Sequence, residues 1–400
     1  MSEKNIQQDR PAFHGSDIEQ IEQYYKIPAE SIIKFGANVN PLGLSATLKK
    51  DLAEHLDVIT SYPDRDYKEL RSAIADYCGV KMEHVVTGNG STELISLLIS
   101  ERNARHAMVI GPTYSEYERE LSLTGGHISE YNLSEEHDFH LDIDDFAKAL
   151  ADDVDFVILC NPNNPTSSAM KKDELRSLLE LCNSRDIFVM IDETYVEFAP
   201  DVSEITAMPL AATYDNLMIL RGVSKFYAAP GLRLGYGVTS NQAFLDTLKE
   251  HQNPWSLNSL GAYAGVRMLQ DKDFIQKTRS LILSERERIL NELNSFRYAK
   301  AYPAYANFIL VKILRDDLTS FDIFDWAIRQ GMMIRDCSSF EGLPGEYIRF
   351  CIMFPEDNTR RAFTVLPNHW HSDYKMSIAA VSAFTPRNGC YFIQSYEDHY

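Results

Sequence analysis

The sequence is short of positive charge, and that shortage limits its partners. Lysine and arginine number 39 against 58 aspartates and glutamates, which gives the 400 residues a formal net charge of −19. Binding to DNA or RNA needs a positive surface that displaces counterions, and docking on an anionic membrane needs one as well. We therefore expect neither nucleic acid nor membrane as a partner. A local cationic pocket for a small anion is compatible with this charge.

Long apolar runs and paired cysteines are also missing. The longest apolar runs, at 156–160 and 187–191, are the length of strands, well below the roughly 18 residues of a membrane span. Residues 1–15 contain no apolar signal core. No CxxC pair occurs among the six cysteines, so we expect no metal site and no redox pair. These observations predict a cytoplasmic protein with reduced thiols.

Strand-like runs alternate with helical patterns in the first part of the chain. Residues 92–101 have the pattern of a helix and 107–110 that of a buried strand. Leucines at helical spacing in 172–184 lie between the apolar runs 156–160 and 187–191. This β-α-β alternation predicts a mainly parallel sheet with helices on both faces. In such sheets, ligands bind at the carboxyl ends of the strands.

A second region begins near residue 250. Residues 273–295 resemble one long helix of mixed charge, and 306–313 and 347–353 have strand patterns. These elements predict a smaller α+β unit. The last 35 or so residues have weak periodicity, and we assign them no role.

One lysine stands out by its surroundings. Lys225 follows the apolar run 217–220, with Ser224 beside it and Arg233 eight residues further on. A lysine whose pKa is lowered by burial can form a Schiff base with an aldehyde. The serine hydroxyl and the arginine can hold a phosphate. A lysine near a turn is usually a surface residue, but the spacing of GVSK and GLRLG favours a functional one.

Four further motifs accompany the lysine stretch 217–237. They are GNGSTELI at 88–95, GPTYSEY at 111–117, NPNNPT at 161–166 and IDETY at 191–195. Each alone is typical of a turn, a strand end or a core aromatic. Together, and in this order, they resemble the class I/II aminotransferases, enzymes of the pyridoxal-phosphate fold type I. The resemblance implies pyridoxal 5′-phosphate as the cofactor.

The same resemblance assigns roles around the cofactor ring. Lys225 would carry the cofactor as a Schiff base and then transfer protons. Asp192 would pair with the pyridine nitrogen and keep it protonated, so that the ring accepts electrons. Tyr195 and Asn164 would contact the phenolic oxygen, and Tyr114 would stack on the ring.

Further residues match the family's phosphate site. Backbone N–H groups at a helix N-terminus suit a phosphate dianion. Tyr62 corresponds to a tyrosine that reaches the cofactor phosphate of the neighbouring subunit, which implies a homodimer with composite sites. The residues expected on the phosphate within one chain are Gly90, Ser91, Thr92, Ser224 and Arg233.

Substrate contacts follow from the branch of the family that is most similar. Segments such as 253–259 and 334–350 resemble histidinol-phosphate aminotransferase and threonine-phosphate decarboxylase. Arg349 would hold the α-carboxylate as a bidentate pair, and Arg335 would reach the carboxylate or a distal phosphate. Without the family context, ion pairs with the many acids of this chain would explain both arginines.

Two weaker candidates complete the predicted substrate site. Asn40 corresponds to the turn that lines the substrate mouth. His14 is either a contact to a substrate phosphate or a surface histidine.

The reaction type stays open between two chemistries. The short N-terminal segment and PWSLN at 254–258 favour the decarboxylase, whereas Tyr195 is typical of the aminotransferases. The decarboxylase pattern His-Gly-Gly is His14-Gly15-Ser16 here. Because transamination is the commonest chemistry of the class, we predict an aminotransferase acting on a small, phosphorylated amino acid or amino alcohol. The alternative is an L-threonine-O-3-phosphate decarboxylase of corrinoid biosynthesis, and a non-enzymatic binding protein is disfavoured.

The expected fold is therefore α/β, with a mainly parallel-sheet large domain and a smaller α+β domain. We expect the large cofactor-binding domain at 45–250. Residues 12–44 and 251–365 would form the small domain, and 366–400 a tail of unknown structure.

Two positions depart from the family pattern. Gly222 stands where the family often has serine or threonine, so one phosphate hydroxyl is missing. Ser167 stands where it usually has glycine. Neither change removes a reacting group, but both can reshape cofactor contacts.

Overall fold

The computed structural model describes Phe13, Gly15 and residues 17–357. The predicted tail at 366–400 and the candidate His14 lie outside the described residues.

Two sheets organise the described residues. The larger one contains seven strands, in the order β1-β7-β6-β5-β4-β2-β3, and the smaller one four, in the order β10-β11-β9-β8. The strands of the larger sheet are β1 (Val85–Asn89), β2 (His106–Gly111), β3 (His127–Asn132), β4 (Phe156–Cys160), β5 (Phe188–Asp192), β6 (Leu217–Gly222) and β7 (Leu234–Val238). Those of the smaller sheet are β8 (Ala299–Ala301), β9 (Phe308–Ile313), β10 (Arg335–Asp336) and β11 (Tyr347–Cys351).

The larger sheet is mainly parallel, as predicted. Strands β3, β2, β4, β5 and β6 pair in parallel, and only β7 runs antiparallel to both of its neighbours, β6 and β1. The predicted strand at 156–160 has the observed bounds, and the one at 187–191 is displaced by one residue. Parallel pairing brings the carboxyl ends of β4, β5 and β6 together at one edge.

Helices cover the sheets and connect their strands. The predicted helices at 92–101, 172–184 and 273–295 correspond to the fourth, seventh and eleventh in the chain. None of the helices in the described part is long and apolar enough to cross a membrane. The helices are α1 (Ile18–Tyr25), α2 (Ala46–Glu54), α3 (Lys68–Cys78), α4 (Gly90–Arg102), α5 (Glu116–Ser122), α6 (Ile143–Ala149), α7 (Lys172–Asn183), α8 (Val202–Ile205), α9 (Gln242–His251), α10 (Ser259–Gln270), α11 (Lys272–Leu293), α12 (Ser320–Arg329) and α13 (Pro355–Asp357).

The central strands β4, β5 and β6 of the larger sheet are buried on both faces, whereas the edge strand β3 is partly exposed. Along β4, Val157 and Leu159 pack into one hydrophobic cluster, and Phe156 and Ile158 into another on the opposite side. Successive side chains of a strand point to opposite faces, so a strand covered by helices on both sides has to be apolar throughout. This explains why β4 has no alternating pattern in the sequence.

The smaller sheet is antiparallel. The N-terminal part of the chain packs beside it, through an isolated bridge between Ile33 and Met332 just before β10 and a hydrogen bond from the Cys351 N–H of β11 to the Phe35 carbonyl at 2.9 Å. Helix α10 packs against the large domain. Its Gly265 lies so close to Leu70 and Leu234 that any side chain at this position would collide with them. We therefore propose that the large domain extends through α10 and that the small domain begins with α11.

Candidate active site

A cavity of about 700 Å³ opens at the carboxyl ends of β4, β5 and β6, between the two sheets. It brings together most of the residues that the sequence nominated. Gly90 adjoins it at the start of α4, whereas Tyr62 is not among its lining residues. The nominated residues that line it are Asn40, Ser91, Thr92, Tyr114, Asn164, Asp192, Tyr195, Ser224, Lys225, Arg233, Arg335 and Arg349.

Lys225 follows β6 and projects into this cavity. Its Nζ donates a hydrogen bond to the backbone carbonyl of Ala37 at 3.0 Å. Burial, and next the nearby Arg349, lower the pKa of Lys225 to about 8. Removal from water disfavours the charged amine, so more of the amine is neutral near neutral pH than in an exposed lysine. A neutral lysine amine is a nucleophile and a base.

Asp192 ends β5 with both carboxylate oxygens held. Tyr117 donates to Oδ2 at 2.7 Å, and Thr194 donates to Oδ1 from its backbone N–H at 2.9 Å and from its hydroxyl at 2.5 Å. Burial raises the pKa of Asp192, although these hydrogen bonds act in the opposite direction. A nearby cation, such as a protonated pyridine nitrogen, would favour the ionised carboxylate.

The two residues that hold Asp192 were missed from the sequence. Tyr117 and Thr194 both lie inside motifs that pointed to other residues, GPTYSEY and IDETY. The presence of a second hydroxyl in each motif was the available signal. Nothing local in the sequence shows that Tyr117 reaches across 75 positions to Asp192.

Tyr195 and Asn164 lie at the neighbouring part of the cavity wall. The Tyr195 hydroxyl accepts a hydrogen bond from the Asn38 amide at 3.3 Å, and burial raises its pKa, so it stays protonated. Asn164 accepts from Arg349 through its amide oxygen. Its amide N–H₂ group is therefore the part that can still donate to a ligand.

The N-terminus of α4 forms the candidate phosphate site. Gly90 has φ +83°, and a side chain there would collide with the Arg233 guanidinium. Glycine thus allows the guanidinium to approach the first turn, where the N–H groups of Ser91 and Thr92 are free of intrahelical partners. Helix N–H groups beside an arginine form a suitable site for a phosphate dianion.

Gly222 leaves room on the Ser91 side of this site. A Cβ at position 222 would lie 3.5 Å from Ser91 Oγ and 3.5 Å from the Leu234 carbonyl, which is ordinary contact. The hydroxyl that the family often supplies here is therefore absent without a steric reason.

Arg335 and Arg349 form the opposite wall, on paired positions of β10 and β11. Arg349 donates to the Gly36 carbonyl at 2.8 Å through Nη2, while its buried Nε has no partner. Arg335 donates to the Phe13 carbonyl and, at 2.8 Å, to the Ser339 hydroxyl. Buried donors without partners are rare in proteins. The free Nε leaves this wall able to bind an anionic group.

Asn40 lines the cavity, but its side chain is engaged elsewhere. Its amide donates to the Phe226 carbonyl at 2.7 Å and to Thr278 at 2.8 Å, and its oxygen accepts from Leu42 at 3.0 Å. Its backbone N–H also donates to the Lys225 carbonyl at 3.0 Å. These contacts favour a role for Asn40 in holding the Lys225 loop, rather than the predicted role of contacting the substrate.

Tyr62 lies on the surface of the protein, with 82% of its area exposed. Its ring packs at 5.0 Å from that of Trp255, another exposed aromatic. It therefore takes no part in the cavity of its own chain.

Ser167 connects the NPNNPT loop to the small domain. It is fully buried with φ +61°, and its hydroxyl accepts from the backbone N–H of Tyr305 at 3.2 Å and of Ala306 at 2.9 Å. A glycine would adopt this φ without strain but would leave the Ala306 N–H without this partner. The departure from the family pattern therefore adds hydrogen bonds between the domains at the price of local backbone strain.

Comparisons with known proteins show which family the chain is similar to. The profile of the family described as "Aminotransferase class I and II" matches residues 30–366. Threonine-phosphate decarboxylase of Salmonella typhimurium is 34% identical over 347 residues, 87% of this chain and 94% of its own. Histidinol-phosphate aminotransferase of Methanococcus aeolicus is 32% identical over 356 residues, 88% of this chain and 94% of its own.

A solved structure shows the same similarity in three dimensions. The histidinol-phosphate aminotransferase from Clostridium acetobutylicum aligns with a TM-score of 0.77 and 32% identity, covering 83% of this chain and 98% of its own.

Proposed function

The chain belongs to the class I and II aminotransferase family, and from this premise we propose that it transfers the amino group of a small, phosphorylated amino acid or amino alcohol. The observation that carries the proposal is the placement of Lys225 between two walls of opposite character. On one side lie Asp192 and Tyr195, and on the other Arg349 with its unpartnered Nε.

The cavity fits pyridoxal 5′-phosphate, the cofactor of this enzyme class. The start of α4 with Arg233 offers phosphate donors, Asp192 an acceptor for the pyridine N–H, and Tyr195 a donor for the phenolic oxygen. Arg349 Nε and Asn38 Oδ1 are buried and lack partners, as expected of a site built around a ligand. When bound, the cofactor supplies an aldehyde for the substrate amine and a ring that accepts the electron pair released at Cα.

The residues of the chain perform the remaining tasks. Lys225 has its pKa lowered to about 8 by burial and Arg349, so its amine can take a proton from the substrate Cα and release it to another atom. Arg349 binds the substrate carboxylate through Nε and its Nη groups. Arg335 and Ser339 then offer donors to a more distant anionic group, such as a phosphate.

A second candidate function is the decarboxylation of L-threonine O-3-phosphate. The 34% identity to the Salmonella threonine-phosphate decarboxylase favours it. The orientation of the carboxylate on Arg349 would decide between the two, because the bond to be broken has to stand perpendicular to the cofactor ring.

The fate of the cofactor and of CO2 distinguishes the two functions. The holoenzyme is incubated with L-threonine phosphate, histidinol phosphate or L-glutamate, without any keto acid. An aminotransferase stops after one half-reaction, with its cofactor in the amine form and its absorbance at shorter wavelength, until a keto acid reverses it. Continuous release of CO2 from threonine phosphate, with no amine form from any donor, would replace the transaminase by the decarboxylase.

We further propose a homodimer, in which Tyr62 completes the phosphate site of the partner subunit. Tyr62 of the exposed aromatic pair Tyr62 and Trp255 is preceded closely in the chain by Leu56 and Ile59, which are also exposed, with 52% and 63% of their areas accessible. Exposed apolar side chains that cluster in this way are typical of an interface. Light scattering at micromolar concentration tests the dimer, and a monomeric mass would contradict it.

The cytoplasm stays our proposed location. Five cysteines of the described residues are free thiols, which supports a reducing compartment.

A further inference from the structure

Asn38 is a buried residue of the cavity wall that neither the motifs nor the proposed chemistry assigned. Only 2% of it is exposed, and it lines the cavity beside Tyr195. Its Nδ2 donates to the Tyr195 hydroxyl at 3.3 Å, and its Oδ1 has no partner. Its backbone carbonyl accepts from the amide of Asn307, which is fully buried, at 3.0 Å.

The orientation of the Asn38 amide has a physical reason. Tyr195 is the hydrogen-bond partner of this side chain among the described residues. With Nδ2 toward Tyr195, the amide leaves an acceptor oxygen unpaired. The reverse orientation would leave an N–H₂ group with two unpaired donors. Orphaned buried donors are rarer than under-satisfied acceptors, so the observed orientation is the favoured one.

This orientation decides what Tyr195 can do. The Tyr195 oxygen accepts the hydrogen from Asn38, which leaves the phenol's own hydrogen for another acceptor. Burial raises the pKa of Tyr195, so this hydrogen stays on the phenol near neutral pH. A hydroxyl oxygen that accepts a hydrogen bond on one side donates its own hydrogen in a defined direction on the other side.

We propose that Asn38 is a positioning residue that directs the hydroxyl hydrogen of Tyr195 onto the phenolic oxygen of the cofactor. The inference rests on the proposed function, because it assumes the cofactor in this cavity. In this proposal, Asn38 affects the cofactor through the hydrogen bond that Tyr195 donates.

The backbone at position 38 determines which variants are informative. Asn38 has φ +56°, in the left-handed region that asparagine, aspartate and glycine tolerate. Asn38→Ala would add strain there, so its effects could not be interpreted. Asn38→Asp keeps the shape and replaces the donor by an acceptor, so that Tyr195 has to donate to position 38. Asn38→Gly removes the side chain without strain.

The measurement is the pH titration of the cofactor's visible absorbance, which follows protonation of the bond between the cofactor and Lys225. A hydrogen bond to the phenolic oxygen lowers the basicity of that nitrogen. We expect Asn38→Asp to raise the titration midpoint by about one pH unit, a tenfold change in proton affinity. Asn38→Gly should raise it less, because Tyr195 can still donate. The dissociation constant of the cofactor should increase about tenfold in Asn38→Asp.

A double-mutant cycle separates this mechanism from the charge of the new carboxylate. Asn38→Asp is compared in the wild-type and in the Tyr195→Phe background. If Asn38 acts through Tyr195, most of the shift disappears in Tyr195→Phe. Arg349, Asp192 and Lys225 also face this part of the cavity, but they are the same in all four proteins and cancel. Circular dichroism and thermal unfolding of the cofactor-free proteins verify the fold.

Two outcomes overturn the inference alone. Equal shifts in both backgrounds would mean that the carboxylate acts by its charge, and an unchanged midpoint in Asn38→Asp would mean that Asn38 does not direct Tyr195. A wild-type protein without any visible cofactor band would instead overturn the proposed function, and the inference with it.

Discussion

The two walls of the cavity are built differently. On the large-sheet wall, Asp192 has both oxygens occupied by Tyr117 and Thr194, and the residues lie at the ends of strands buried on both faces. On the small-sheet wall, Arg349 keeps a buried donor without a partner. The Asp192 carboxylate thus has protein donors on both oxygens without a ligand, whereas the Arg349 guanidinium does not have all its donors satisfied. This difference fits the proposal that Asp192 is oriented in advance for a resident cofactor, whereas Arg349 receives a substrate that comes and goes.

Outside the cavity, two contacts between the large and small domains also differ from each other. Glu135, between β3 and α6, accepts from Lys312 of the small sheet at 2.5 Å and from Tyr302 at 2.6 Å. Glu118 on α5 instead forms a carboxylate cluster with Glu130 of β3 and Glu341 of the small-domain loop. One contact attracts the small domain toward the large one, and the other repels it.

The largest effect is expected from Lys225, which lies between the two walls. Lys225→Ala should lower turnover by several orders of magnitude and remove the covalent bond to the cofactor, because nucleophile and base are lost together. Absorbance spectroscopy and borohydride reduction followed by peptide mapping measure the bond. Lys50→Ala, at a side chain 79% exposed, serves as control. Near-normal turnover of Lys225→Ala would refute the assignment.

Loss of the Arg349 guanidinium should weaken the capture of the substrate and leave the binding of the cofactor nearly unchanged. Arg349→Ala is expected to cost about 2–4 kcal/mol of transition-state stabilisation, roughly 30- to 1,000-fold in kcat/KM. The cofactor's dissociation constant should change little. Arg105→Ala, at a side chain 85% exposed, is the matched control. An unchanged kcat/KM would remove Arg349 from the site and abolish the contrast between the walls.

Glu135→Gln tests the attractive contact. Burial opposes ionisation of Glu135, but hydrogen bonds from Lys312, Tyr302 and Tyr347 outweigh it and lower its pKa to about 2. We expect the variant to lose about 1–2 kcal/mol of unfolding free energy at neutral pH.

The pH dependence of this loss has a defined sign. A carboxylate with a lowered pKa stabilises the fold fully above its ordinary value of 4.5, and this contribution is lost as the pH falls toward about 2. Urea unfolding at about pH 7 and about pH 3.5 should therefore show a smaller difference from the wild type at the lower pH. Glu136→Gln, in the same turn but exposed, is the control. A constant difference would exclude the ionised carboxylate as the cause.

The smallest effect is expected from changing Glu118, in the repulsive cluster with Glu130 and Glu341. Burial, Glu130 and Glu341 raise the pKa of Glu118 to about 7. A carboxyl with a raised pKa favours the fold below its ordinary pKa of 4.5, and this contribution is lost as the pH rises through about 7. Glu118→Gln should thus raise the melting temperature at about pH 8 by a few degrees and change it less at about pH 6. Glu69→Gln, at an exposed position of α3, should not reproduce this pattern.

The sequence was sufficient for the parts of the site that are local in the chain. Lys225, Asp192 and Asn164 follow apolar runs, and parallel pairing of those strands brings them together. Turn chemistry and strand length are encoded by neighbouring residues, so the mainly parallel large sheet and the site at the carboxyl ends of its strands could be predicted.

What could not be predicted depends on contacts between distant residues. Tyr117 reaches Asp192, Asn38 reaches Tyr195 across 157 positions, and Ser167 accepts from Ala306 across 139. No local pattern encodes such pairs, because they form only when the domains have folded against each other. Asn40 shows the same limit, since its position was predicted but the partners of its amide were not.

The exposed Tyr62 has a consequence for mixtures of defective subunits. In the proposed homodimer each site takes its tyrosine from one chain and its lysine from the other. A Lys225→Ala chain and a Tyr62→Phe chain, each impaired in its own homodimer, would then reassemble into a mixed dimer in which one site carries both lesions and the other carries none. Two impaired alleles would complement each other, and the recovered activity would follow the random redistribution of chains.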